Sequence, residues 1–98
     1  MIDLSPEHLA EVKSILKKNV PDCEVRAFGS RITANAAKYS DLDLAICSDQ
    51  IIDRSLIWKL EEAFSDSNLP FRVDVLDWQN ISDQFRDKIN EGYETIEI

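Results

Sequence analysis

Three short segments of the chain alternate apolar and polar residues with a period of two: CEVRAF (residues 23–28), LDLAIC (42–47) and FRVDVL (71–76). That period belongs to a strand with one face buried. Around them, apolar residues recur every three or four positions instead. Leu9, Val12, Ile15 and Leu16 form one such stripe, and Leu56, Ile57, Leu60, Ala63 and Phe64 form another, as on helices that bury one side. Strands separated by helices restrict the chain to one small mixed sheet with helices packed on it, an α+β fold. Strand polarity cannot be read from the pattern, although the long connections permit parallel pairs.

Local signals place the boundaries. Ser5 is a natural N-cap, Pro6 suits the first helical position, and Leu4 can staple onto Leu9. Asn19 to Asp22, with Pro21, ends this helix. Gly29 cuts off the first strand, and the alanine-rich stretch SRITANAAKYS that follows opens with what reads as a helical turn. Asp53 can cap the second long helix, and Asn68 to Pro70 breaks it. Residues 83–91 read as a helix through Phe85 and Ile89, with Gly92 as its stop. The tail YETIEI alternates and fits either a short strand or a docking segment. The expected order is helix, strand, short helix, strand, helix, strand, helix.

Ninety-eight residues make a single domain, residues 1–98, with one modest core. The chain carries 11 basic and 19 acidic residues, a net charge of −8. Such a surface repels nucleic acid and anionic lipid, so non-specific binding to either is excluded. A nucleotide whose phosphates are neutralised by a divalent cation is not. Cys23 and Cys47 are too few for a disulfide framework or a structural zinc site, and both sit in apolar runs as small buried residues would. His8 alone makes no metal site. No apolar run approaches the ~18–20 residues of a membrane span, and no secretory leader is visible, so a cytoplasmic location is expected.

Three carboxylates stand out by position. Asp41 and Asp43 are one residue apart at the start of a strand, so both side chains leave the same face. Asp74 sits mid-strand between Val73 and Val75, a costly place for a charge without a partner. If the second and third strands are neighbours, the three converge, and a divalent cation relieves their repulsion. Mg²⁺ typically bridges one or two carboxylates to substrate phosphates. Upstream, Gly29-Ser30-Arg31 falls where a strand ends. Glycine there admits a close backbone approach, the next N–H groups can face an anion, and Arg31 can pair with a phosphate or a carboxylate.

Together, AFGSRITANAAKYSDLDLAI (residues 27–46) resembles the G-S-x(n)-S-D-x-D-L pattern of the polymerase-β-like nucleotidyltransferase superfamily, and RVDVLDW (72–78) resembles the strand carrying its third carboxylate. The short length resembles the minimal nucleotidyltransferase (MNT) proteins, and the likeness covers nearly the whole chain. It implies a nucleotidyltransferase fold, with Gly29, Ser30 and Arg31 holding the triphosphate and Asp41, Asp43 and Asp74 acting as catalytic, metal-binding residues. It implies Mg²⁺ or Mn²⁺ as cofactor and ATP as substrate, with AMP passed to a hydroxyl. The acceptor implied is a helical HEPN-domain partner, the two forming a toxin–antitoxin pair with this chain as antitoxin, in a hetero-oligomer or alongside a homo-oligomer. A non-catalytic nucleotide-binding or protein-interaction subunit is the alternative. Where many relatives have a second glycine, this chain has Ala34. Trp58 reads as core or a partner contact, Trp78 as packing that could also border the nucleotide, and Tyr39 could flank the site.

Overall fold

The computed structural model describes residue 2, residues 4–29, residue 32, residues 41–49 and residues 52–98. Its elements run α1 (Pro6–Asn19), β1 (Glu24–Phe28), β2 (Leu42–Cys47), α2 (Arg54–Ser65), β3 (Val73–Asp77), a 3₁₀ turn at Trp78–Asn80, α3 (Asp83–Asn90) and β4 (Tyr93–Ile96). The four strands form one sheet in the order β3-β2-β1-β4. β1 pairs antiparallel with both β2 and β4, while β2 and β3 run parallel. The sheet is therefore mixed, and the tail that could have been a strand or a docking segment is the edge strand β4.

The helices start at side-chain caps. Ser5 Oγ accepts from the His8 N–H at 3.2 Å, Asp53 Oδ1 from Ser55 at 3.0 Å and Ser82 Oγ from Phe85 at 3.1 Å. Each satisfies a backbone donor that has no partner inside its helix. α3 ends at Glu91, and the Gly92 N–H reaches the Ile89 carbonyl at 3.1 Å. Gly92 stops the helix without the left-handed backbone expected of a glycine cap, since Gly29 is the glycine with positive φ.

Two strands start later than in the sequence reading, and β3 ends one residue later, at Asp77. Cys23 packs against the core and precedes the β1 ladder, which starts at Glu24. Phe71 and Arg72 precede β3: Phe71 is buried with its ring edge-on to His8, 5.7 Å between centroids, and the Arg72 carbonyl reaches β2, accepting from the Leu42 N–H at 2.9 Å. The short helix expected after Gly29 lies outside the described residues, apart from Ile32, whose N–H donates to the Gly29 carbonyl at 3.0 Å.

The period-two pattern sorts the two faces of the sheet. Leu42, Leu44 and Ile46 of β2, with Val25, Ala27, Val73, Val75 and Ile96, point to one side and join Val12 and Leu16 of α1 and Leu60 and Phe64 of α2 in the main core. Leu42, Leu44 and Ile46 are fully buried, each contributing about 1.5–3 kcal/mol of hydrophobic stabilisation. The opposite face carries Arg26, Phe28, Asp43 and Asp74 and is roofed in part by α3. The Phe28 and Phe85 rings meet edge-on, 6.0 Å between centroids. The Arg26 guanidinium lies 4.8 Å from the Trp78 ring centroid and 4.6 Å from that of Tyr93. Arg86 donates from Nε to the Trp78 carbonyl at 2.9 Å and from its terminal nitrogen to the Gln79 carbonyl at 3.0 Å, tying α3 to the 3₁₀ turn. Trp78 thus packs against Arg26, the first of the two readings the sequence offered for it. No helix among the described residues is long and apolar enough to cross a membrane.

Candidate functional site

The roof leaves one end of the second sheet face open, and the carboxylates lie there. Parallel pairing sets Asp43 of β2 opposite Asp74 of β3. Both side chains therefore leave the same face of adjacent strands, about 4.8 Å apart at the backbone. Asp41, two residues before Asp43, is exposed at the mouth of the strand. An open groove of about 1010 Å³ includes Asp43 and Asp74, with Phe28 and Phe85 on the α3 side.

Burial raises the Asp43 carboxyl above the usual carboxylate range, and the charges of Asp74 and then Asp41 push it the same way. A raised value is what clustering alone predicts, but here desolvation ranks above like-charge repulsion. The side chain lies low on the sheet, beside Gly29 and under the Phe28 register position. Asp74 is more open and carries an ion pair: Arg72 Nε lies 3.1 Å from its Oδ1. Arg72 is a site residue that the sequence reading passed over. The signal was there in R-x-D, because residues two apart on a strand share a face.

Gly29 is the other fixed point. Its φ is +87°, a conformation that side-chain-bearing residues rarely adopt. A Cβ built there would run into the Asp43 carboxylate, reaching 3.4 Å from Cγ and closer still to Oδ2. The chain thus turns sharply over the carboxylate at a point where only glycine leaves room. Ser30 and Arg31 lie outside the described residues, as do Ala34 and Tyr39.

The donor set is hard oxygen, which suits Mg²⁺ or Mn²⁺ rather than a softer metal. Among the described residues no three His, Cys, Asp or Glu side chains lie close enough to enclose a metal. A cation here fits the adjacent Asp43 and Asp74 with the rest of its oxygens from water or substrate, the usual arrangement for magnesium at a nucleotide. Trp58, on α2, is 62% exposed and lines the far side of the same groove.

Residues 10–96 match the family described as Polymerase beta, Nucleotidyltransferase. The chain is 51% identical over 96 residues to "Probable protein adenylyltransferase MntA" of Haemophilus influenzae, covering 98% of this chain and 84% of that protein. Its fold matches a crystal structure of a toxin–antitoxin with AMP-PNP at a TM-score of 0.77, with 21% identity over 91% of this chain and 72% of the other. It also matches a chain from the complex of tri-AMPylated Shewanella oneidensis HEPN toxin with MNT antitoxin at a TM-score of 0.69, with 20% identity over 93% of this chain and 70% of the other. The fold expected from the sequence is the one found. Family match and identity together place this chain in the polymerase-β-type nucleotidyltransferases, among their minimal MNT members.

Proposed function

We propose that this protein is an adenylyltransferase that passes AMP from ATP to a tyrosine hydroxyl on a HEPN-domain partner, and so acts as the antitoxin of a toxin–antitoxin pair. The observation that carries the reading is the register of Asp43 with Asp74 beside the positive-φ turn at Gly29. The relative named as an adenylyltransferase, and the AMPylated HEPN toxin found with an MNT antitoxin, support the choice of AMP and of acceptor.

In this reading Gly29 lets the backbone approach the triphosphate, with Ser30 and Arg31 as further phosphate contacts. Asp43 and Asp74 would hold a divalent cation, with Asp41 exposed beside them to reach it through water, and the cation would neutralise phosphate charge during transfer. The acceptor oxygen forms a bond to the α-phosphorus, the bond from that phosphorus to the pyrophosphate oxygen breaks, and the hydroxyl proton is released. Asp74, the carboxylate nearest the open edge of the sheet, orients the incoming hydroxyl. Asp43, lower and drier, stays with the phosphates. Positioning and charge stabilisation dominate this class of reaction, so few protein groups are required.

Co-expression with the HEPN partner followed by intact-mass spectrometry tests the proposal. Wild type should add the mass of AMP to the partner, and Asp41→Asn combined with Asp43→Asn should abolish the addition while the protein stays folded. An adduct that persists in the double variant would refute the role of these carboxylates. No adduct with wild type would favour a non-catalytic binding subunit.

A further inference from the structure

The groove that holds Asp43 and Asp74 does not stop at the sheet face. It wraps over the outer edge of β3 and continues along α2, where Trp58, Glu61, Glu62 and Ser65 form its far wall. Those four positions follow helical spacing and make one exposed ridge of α2 that lines the groove opposite the strand edge. The floor between is the edge of β3 itself. Leu42 pairs with Val73 and Leu44 with Val75, and the Leu42 N–H bonds the Arg72 carbonyl. In a parallel ladder this alternation turns the backbone groups of Arg72, Asp74 and Leu76 toward β2, and those of Val73 and Val75 outward. Among the described residues nothing pairs with that outer side.

We propose that this edge is the docking rail for the acceptor: an extended, basic segment of the partner adds to β3 as a fifth strand, between the strand and the Trp58 ridge. The inference rests on the transferase reading above. An extended segment fits because it can meet unpaired strand groups, as strand-addition complexes do, whereas a helix has none to offer. The alternation of an added strand also solves delivery. A side chain level with Asp74 falls on the carboxylate face, one strand spacing away at about 4.8 Å. Its two neighbours in sequence point to the other side, against Trp58 and the two glutamates. An acceptor tyrosine flanked by Lys or Arg thus places its hydroxyl at the carboxylates and its neighbours on Glu61 and Glu62. Charge selects this occupant over a second copy of the chain. Pairing β3 with β3 would bring Glu61, Glu62 and Asp74 of both copies together, and Arg72, the basic residue of the groove, already pairs with Asp74.

The probe is a fluorescein-labelled peptide, Ser-Thr-Val-Lys-Tyr-Arg-Val-Thr-Ser, titrated against the full chain without nucleotide and followed by anisotropy and by amide shifts. Binding should move the Val73 and Val75 amides. Trp58→Ala, at an exposed position that leaves the fold alone, should weaken it about tenfold, as loss of one aromatic anchor does. Glu61→Lys with Glu62→Lys should weaken it further and reverse the preference toward a peptide with Glu in place of Lys and Arg. Equal binding by these variants, or by a peptide N-methylated along its backbone, would overturn the rail. The same variants, co-expressed with the HEPN partner, separate the two proposals. AMP transfer unchanged in all of them leaves the transferase standing and removes the rail. Peptide binding with the expected shifts, but no transfer by wild type, does the reverse.

Discussion

Replacing Gly29 by alanine probes the turn over the carboxylate with two separable penalties. The first is backbone: at a φ of +87° an L-residue costs about 1–2 kcal/mol. The second is steric, because the new methyl would occupy the space of the Asp43 carboxylate. Asp43 has two side-chain torsions and sits on the strand that pairs it with Phe28, so its retreat is short, and swinging toward Asp74 adds repulsion. Crowding of this kind costs about 1–3 kcal/mol. A sum of about 2–5 kcal/mol in a domain this size lowers Tm by roughly 10–40 °C. Urea unfolding of wild type, Gly29→Ala, Asp43→Ala and the double variant divides the two. Removing the carboxylate should restore about 1–3 kcal/mol of the loss and leave the φ penalty in place. A Gly29→Ala protein as stable as wild type, or a double variant that recovers nothing, would refute the geometry.

Three further outcomes follow from the structure. The folded-state pKa of Asp43 lies above its unfolded value, so ionising it opposes folding, and the penalty grows as pH rises through the folded pKa; Asp43→Asn should raise the Tm of the metal-free protein near neutral pH, the gain vanishing toward about pH 3, as scanning fluorimetry across that range will read. Burial pushes the Cys47 thiol up to about 11 despite the opposing pull of Arg26, leaving roughly one thiolate in a thousand at about pH 8, so iodoacetamide should label it far more slowly in the native than in the denatured protein, by peptide mapping. Leu44 is fully buried in the main core, and Leu44→Ala should cost about 3–4 kcal/mol in urea unfolding.

How much of this was legible depends on whether the signal was local. LDLAIC reads as a strand and is one, residue for residue, because alternating leucines on a period of two leave no other face to bury. Ser5 and Asp53 cap where expected because a cap needs only its own next turn. The start of β3 slipped by two residues because Phe71 is buried by a ring from α1 rather than by the ladder, and no local pattern distinguishes the two. Within the site, Asp43 and Asp74 could be paired from their strands, given adjacency. Arg72 on Asp74 was legible as R-x-D on one strand face, whereas the cation–π clasp of Arg26 and burial as the leading influence on Asp43 depend on tertiary neighbours. The ridge of Trp58 beside a strand edge was beyond reach for the same reason.

Asp43 and Asp74 face each other across β2 and β3, yet the whole of residues 44–73, with α2 inside it, lies between them in the chain. The β1–β2 pair can close over a much shorter connection, and shorter loops cost less entropy to close. The seam between β2 and β3 should therefore close after the β1–β2 pair, and the pair of carboxylates does not exist until it forms. Anything that sits across that seam binds a contact missing from the folding transition state. It should leave the folding arm of a chevron plot where it is and slow the unfolding arm alone. A loaded protein then resists opening kinetically, holding its two acids together for as long as the ligand stays.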